Sequence, residues 1–297
     1  MWLPEYHCMT MVIPFSLAGL NVRFYELDEQ LSPCMKTLTN VQPSEIVVGV
    51  HYFGRTYDLT PLAALCRDRR CVLIEDAAHV DPSSLSPTSS VGSVGNFTLH
   101  CPRKFYRIYD GATLMGDATD LRVIEQSAPS FREQLKGVSA VLRNVNQRGT
   151  VSTAQVEKKV VEGYVDPRFA ITTRSRATVP SRLAWQVQSR QQRPKDIRVR
   201  HYAAIHRVVS VAVRIHPLFV DIPENLMPYV YPAVLERPDD FRRLRGLGIN
   251  VLRWEELALR PSEAIERLMW SLIQLPCCDA MTDSDFDRML GYLQELA

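Results

Sequence analysis

The chain has no run of 18 apolar residues, so no part of it is expected to cross a membrane as a helix. It also lacks a surplus of either charge: 35 Lys+Arg against 33 Asp+Glu leave a formal net charge of +2 over 297 residues. Phosphate binding along a nucleic acid needs a concentrated basic surface, and so a nucleic-acid partner is not expected. A secretory leader is not expected either. The opening MWLPEYHCMTMVIPFSLAGL is apolar, but its first basic residue is Arg23, and Pro4 and Pro14 interrupt it. The seven cysteines, at 8, 34, 66, 71, 101, 277 and 278, form neither a disulfide framework nor a zinc knuckle. Cys277 and Cys278 read as small apolar residues near a strand end. The seven histidines are dispersed without metal-ligand spacing, so no metal is expected. GxGxxG, GxxxxGK[ST] and HExxH are all missing, and Gly92-Ser93-Val94-Gly95 falls short of a nucleophile elbow. These absences leave a soluble, reduced, cytoplasmic globular protein.

What is present is an ordinary core-forming composition, 46% hydrophobic and 23% charged. The length suggests one large domain with a smaller one attached, divided near Pro194-Lys195 into 1–194 and 195–297. Val22–Leu27 and Glu45–Val50 read as strands, and Met11–Leu17 as a helical turn or the lead-in to a strand. Asp58–Arg70 has helical apolar spacing that Asp58 is placed to cap, and Cys71–Ile74 is a strand ending at Glu75-Asp76. Strand, helix and strand at these lengths describe a crossover unit, hence an α/β fold with a mainly parallel sheet flanked by helices. Pro82–Val91 reads as a surface loop, and Gly95–His100 and Gly111–Gly116 as short strands. The pattern from Asp120 to about Glu162 is helical with a solvated charged face. In the second unit Ile197–Val211 is a helix, Tyr229–Leu235 a strand and Asp239–Leu247 a helix closed by Gly248. Ile249–Trp254 reads as a further strand, with amphipathic segments at Ser262–Gln274 and Asp283–Leu296. Together they describe a small β–α–β unit with a terminal helix.

Ligands of open α/β sheets sit outside the carboxyl ends of the strands. Asp76 and His79 stand at one such end, in Glu75-Asp76-Ala77-Ala78-His79, and Lys104 lies just past the next strand. An acid, an imidazole and an amine from adjacent strand ends are the parts a pyridoxal phosphate site needs. The lysine binds the cofactor aldehyde, the carboxylate keeps the pyridine nitrogen protonated, and a donor sits near the phenolic oxygen. Taken singly, Lys104 reads as a surface lysine and Asp76 as a helix cap.

Four stretches resemble the DegT/DnrJ/EryC1/StrS family of fold-type I, pyridoxal-phosphate-dependent sugar aminotransferases. Leu3-Pro4-Glu5-Tyr6-His7-Cys8, with Ala18-Gly19 and Phe24-Tyr25 behind it, resembles the segment after the family's first central strand. Val50-His51-Tyr52-Phe53-Gly54 resembles its V-H-x-x-G strand end, and Leu73 to His79 its E-D-A-A-[QH] motif, the most specific of the four. Gly92 to Lys104, followed by Asp110-Gly111-Ala112, resembles its G-x-x-G-[DN]-F … S-x-x-K … G-G segment. The tail, Leu275-Pro276-Cys277-Cys278 with Met281-Thr282-Asp283 and a last helix, resembles the closing L-P-x-x … L-T pattern.

The resemblance implies an aminotransferase that moves an amino group from an amino acid, with glutamate as the expected donor, to a keto-sugar on a nucleotide. It places this work in polysaccharide or antibiotic sugar biosynthesis, and it implies a homodimer. It makes Lys104 the Schiff-base lysine and proton carrier, pairs Asp76 with the pyridinium nitrogen, and sets His79 near the phenolic oxygen. Tyr6, His7 or Cys8 is expected beside the cofactor ring, without a choice among them. Cys101 stands three before the lysine, where related sequences often have Ser, and is a weaker hydrogen-bond donor. Ala112 replaces the usual second Gly. Relatives begin several tens of residues earlier, with an S-G-T segment that clamps the cofactor phosphate at a helix N-terminus. This chain starts after that segment, so a missing clamp is expected. The alternative is a non-catalytic, truncated or degenerate member of the fold, acting as a dimer partner or inactive.

Overall fold

A computed structural model describes residues 1–81, 83, 91–121, 126–146, 176–222, 227–254 and 261–296. The chain opens with β1 (Trp2–Pro4), α1 (Met9–Leu17) and β2 (Arg23–Tyr25), then β3 (Ile46–Val50), α2 (Thr60–Arg69) and β4 (Val72–Asp76). β5 (Phe97–His100) and β6 (Thr113–Gly116) complete a six-stranded sheet in the order β2-β1-β3-β4-β5-β6. Its first five strands are parallel neighbours and only β6 runs antiparallel, paired to β5. The expected α/β fold with a mainly parallel sheet is therefore found. β3 and β4 are joined by α2, the crossover unit read from the spacing.

Several local expectations need correction. Met9–Leu17 is a helix throughout, with Pro14 inside it. Asp58 does not cap α2 from the N-cap position, which Leu59 occupies. Its Oδ1 instead accepts from the Thr60 N–H at 2.9 Å, a bond to its own backbone two residues on. The Pro82–Val91 loop lies largely outside the described residues, as does 147–162 of the helical stretch. The described part of that stretch holds the end of α3 (Ala118–Leu121) and α4 (Phe131–Asn146), while 126–130, ahead of α4, is not helical.

The remainder begins with α5 (Val179–Gln188) and α6 (Gln192–Val209), whose first turns include Pro194 and Lys195. β7 (Ile215–Pro217), β8 (Val230–Leu235), α7 (Asp240–Gly246), α8 (Glu263–Ser271), β9 (Leu272–Pro276) and α9 (Asp283–Glu295) follow. The three strands form an antiparallel sheet in the order β7-β8-β9. Two expectations fail here. Ile249–Trp254 is no strand, and makes only an isolated bridge from Leu252 to Gln274. The third strand comes from the end of Ser262–Gln274, where the helix stops at Ser271 and β9 begins at once. Apolar residues on both faces, Leu272, Ile273 and Leu275, are fully buried, and such a run has no period by which to tell strand from buried helix.

One apolar core fills the first sheet and continues under the second through Leu218, Phe219, Val230, Ile265, Leu268 and Leu272. A second core lies between the small sheet, α6, α7 and α9, around Tyr231, Ala233, Ile273 and Leu293. Buried polar ties join the two parts. Glu5, just past β1, accepts from the Ser262 backbone N–H at 2.8 Å and from its hydroxyl at 3.0 Å, at the start of α8. Among the described residues no helix is long and apolar enough to cross a membrane.

Candidate active site

Four parallel strands, β1, β3, β4 and β5, end on one edge of the large sheet, and the segments leaving them carry the candidate residues. β1 leads to Tyr6, His7 and Cys8, and β3 to His51-Tyr52-Phe53-Gly54. Asp76 ends β4, with His79 three residues on. β5 leads through Cys101 into the short 3-10 turn Pro102–Lys104. That turn follows from the sequence: Pro102 fixes φ at its first position, and the Lys104 N–H bonds back to the Cys101 carbonyl at 3.0 Å.

Lys104 is half-buried, and its Nζ lies 5.3 Å from the ring centroid of Tyr229. Burial lowers its pKa below the ordinary lysine value, against the pull of Asp76, Cys8 and Cys101 towards the charged form, while Arg103 adds to the lowering. Asp76 shows the complementary effect. Burial raises its carboxyl above the usual range, although the Ala78 N–H donates to Oδ1 at 2.9 Å and Lys104, His51 and His100 favour the anion.

His79 is buried, and burial holds its pKa well below the ordinary value, with the charge of Lys104 acting the same way. Its Nδ1 accepts from the Phe53 N–H at 3.2 Å, so the neutral ring carries its proton on Nε2. The imidazole stacks on Tyr229 (4.6 Å between centroids, 20° between planes) and on Phe53 (5.7 Å, 20°), with Trp254 at 5.8 Å.

The three residues after β1 separate in space. His7 turns inward: its ring stacks on Phe24 at 4.9 Å, Nδ1 meets the Pro4 carbonyl at 3.0 Å, and burial lowers its pKa to about 4. Tyr6 packs against Trp254 (5.1 Å) and Tyr52 (6.1 Å), and its buried hydroxyl has no hydrogen-bond partner. Cys8 is half-buried, bonded through sulfur to the Thr10 hydroxyl at 2.8 Å, and near enough to Lys104, Tyr6 and Tyr229 to act on each electrostatically. The structure thus brings Asp76, His79, Lys104, Cys101 and Cys8 together, leaves Tyr6 behind them, and turns His7 away.

The sequence reading missed several supporting residues. Glu75, fully buried, accepts from the backbone N–H groups of Gly92 (2.9 Å), Val94 (3.0 Å) and Gly95 (2.6 Å). His51, whose Nδ1 accepts from the Tyr57 N–H at 2.9 Å, turns its other nitrogen to Glu75 at 3.4 Å. Burial pushes the Glu75 pKa upward, but the His51 ring and the three amides outweigh it, and the carboxyl lies below its usual range. Arg198, buried on α6, donates to the Phe105 carbonyl at 3.2 Å and to the Tyr229 carbonyl at 3.4 Å, tying the segment after Lys104 to the small sheet. Both Glu75 and His51 stood inside stretches already singled out. Tyr229, Trp254 and Arg198 come from far along the chain and carried no local signal.

The sequence model of the DegT/DnrJ/EryC1/StrS aminotransferase family matches residues 19–102. No curated protein sequence matches the chain. Among solved structures it is similar to the aminotransferase TlmJ from Streptoalloteichus hindustanus, with a TM-score of 0.68 and 18% identity over 99% of this chain and 78% of that one. PseC of Helicobacter pylori, an aminotransferase involved in the biosynthesis of pseudoaminic acid, gives 0.67 and 12% over 99% and 78%. A sugar aminotransferase from Micromonospora echinospora gives 0.64 and 15% over 99% and 79%.

Proposed function

We propose that this chain is a pyridoxal-phosphate-dependent aminotransferase of the DegT/DnrJ/EryC1/StrS type, a reading supported by its family match over residues 19–102 and by its fold, and that it aminates a keto-sugar carried on a nucleotide, with glutamate as the donor. The observation that carries this reading is the convergence of Asp76, His79 and Lys104 at adjacent strand ends, in the order the motifs predict. The sugar substrate is supported by the family resemblance and by neighbours such as the sugar aminotransferase from Micromonospora echinospora, and the nucleotide by resemblance alone.

The residues present fit the cofactor. When bound, pyridoxal phosphate supplies an aldehyde for amines and a ring that accepts electrons from the substrate carbon. Lys104 offers an amine whose pKa burial lowers, the direction that both imine formation and proton transfer require. Asp76 has one oxygen held by the Ala78 N–H, leaving the other for a protonated ring nitrogen. His79 offers an Nε2 proton, with the imidazole fixed by Phe53 and Tyr229, as a donor to a phenolic oxygen. The Tyr6 hydroxyl is buried without a hydrogen-bond partner, its ring packed on Trp254. Cys8 is assigned to the ring's neighbourhood in preference to His7, which faces Phe24. Small-molecule donor and acceptor would enter from the strand-end edge, and a homodimer is the proposed assembly.

The test is reductive trapping. The chain is incubated with pyridoxal phosphate, reduced with borohydride, digested and mapped by mass spectrometry beside Lys104→Ala. A phosphopyridoxyl adduct confined to Lys104 is expected, followed by glutamate-dependent amination in keto-sugar assays. Scattered labelling that Lys104→Ala leaves unchanged would overturn the assignment.

A further inference from the structure

Tyr229 stands just ahead of β8, in the small sheet's part of the chain, yet its side chain reaches the edge of the large sheet. One side of the ring stacks on His79 at 4.6 Å, and Lys104 Nζ stands 5.3 Å from its centroid. The backbone beneath it is pinned three ways. The Tyr229 N–H donates to the Phe53 carbonyl (3.3 Å), and the Tyr229 carbonyl accepts from Arg198 (3.4 Å) and from the Cys277 thiol (3.6 Å). Gly54, at φ +95°, makes room for this approach: a Cβ there would come within 2.6 Å of the Met227 carbonyl and 2.9 Å of the Tyr229 nitrogen.

We infer that Tyr229 is a positioning residue for Lys104, its aromatic face holding the amine at the strand-end site and favouring its charged form. An ammonium within about 6 Å of a ring centroid is attracted by the ring quadrupole, and more strongly where water is excluded. The ring therefore opposes the burial that drives Lys104 towards neutrality. The other groups acting on the amine are Asp76 from β4, Cys8 ahead of α1, and Cys101 and Arg103 from its own turn, with His79 buried nearby. Because the backbone of Tyr229 is tied to Phe53 on one side and Arg198 on the other, the lysine's charge state depends on how the small sheet is seated. This deepens the function proposed above, since it concerns the lysine assigned there, but it requires no cofactor.

The test reads the amine directly. The full chain is freed of carbonyl compounds with hydroxylamine and labelled briefly with acetic anhydride from pH 6 to 11. The labelling midpoint of Lys104 is then read by mass spectrometry, with exposed Lys136 as internal reference. Tyr229→Phe keeps the ring, whereas Tyr229→Leu and Tyr229→Met keep bulk and remove the π face. The two aliphatic variants are made in parallel so that one folded protein suffices. The Lys104 midpoint is expected to fall by about 0.5–1.5 pH units in the aliphatic variants and to stay at the wild-type value in Tyr229→Phe. A wild-type midpoint in the aliphatic variants, or an equal fall in Tyr229→Phe, would overturn the inference. Loss of the trapping adduct with these midpoints as expected would instead count against the cofactor assignment alone.

Discussion

Glu75 and Asp76 are adjacent in β4, yet the pleat sends them to opposite faces of the sheet, and their surroundings differ as much as two carboxylates' can. Glu75 is saturated: three backbone amides and an imidazole surround it, and its pKa lies below the usual range despite complete burial. Asp76 has a single backbone donor, and burial holds its pKa above the usual range. The first carboxylate is consumed in holding the Gly92–Gly95 segment that feeds β5, and so fixes where Lys104 emerges. The second keeps bonding capacity in reserve. One strand end thus supplies a saturated acid and the acid proposed to serve the cofactor, and hydrogen-bond saturation rather than burial distinguishes them.

The largest effect that sharpens this contrast belongs to Glu75. In Glu75→Gln the side-chain NH2 is forced against backbone donors, leaving buried N–H groups unpaired, at a cost of about 2–4 kcal/mol in urea unfolding. The acid limb checks the same point. A carboxyl whose folded pKa is depressed contributes stability above its unfolded value, and loses it as pH falls through the folded value. Wild type should therefore lose stability below about pH 4.3, while Glu75→Gln shows a flatter acid limb. An unchanged urea midpoint in Glu75→Gln would erase the distinction between the two acids.

His51 comes next. Its ring bridges the Tyr57 N–H and Glu75, and His51→Leu strands one buried donor and one carboxylate lone pair. A loss of about 1–3 kcal/mol is expected by urea melt. Since the residue supports Glu75 rather than Asp76, adding His51→Leu to Glu75→Gln should cost less than the sum of the two.

How much of this was legible can be followed residue by residue. The parallel sheet was, because Glu45–Val50, Asp58–Arg70 and Cys71–Ile74 have lengths and periods that admit one arrangement. Asp76, His79 and Lys104 were singled out because strand ends are where such sheets present side chains. Glu75 stood in the same motif, but its role needs the amides of 92–95, some twenty residues away, and no local pattern states that pairing. Tyr229 and Trp254 are brought in by the fold of the second unit, far along the chain from the strand-end motifs. There β9 lacked a period, and Ile249–Trp254 had a strand's composition but forms only one bridge. The choice among Tyr6, His7 and Cys8 stayed open for a similar reason: the chain curves after β1 in a way that spacing does not encode.

The smallest effect on stability, and the one of opposite sign, is expected at Asp76. Asn keeps an oxygen for the Ala78 N–H, so Asp76→Asn removes the charge without removing the bond. A carboxyl whose folded pKa is raised weakens the fold as pH climbs from its unfolded value through its folded value. Asp76→Asn should then match wild type at low pH and equal or exceed it in urea midpoint above that window. Two further readouts separate function from structure. The anion's pull on Lys104 disappears, so the labelling midpoint of the lysine falls, in the same direction as loss of the Tyr229 ring. Trapping of pyridoxal phosphate on Lys104 is expected to weaken as well, because a ring nitrogen would lose the counter-charge proposed for it. If Asp76→Asn lost as much stability as Glu75→Gln, both carboxylates would be structural, and the acid that serves the cofactor would have to be sought elsewhere on the strand-end edge.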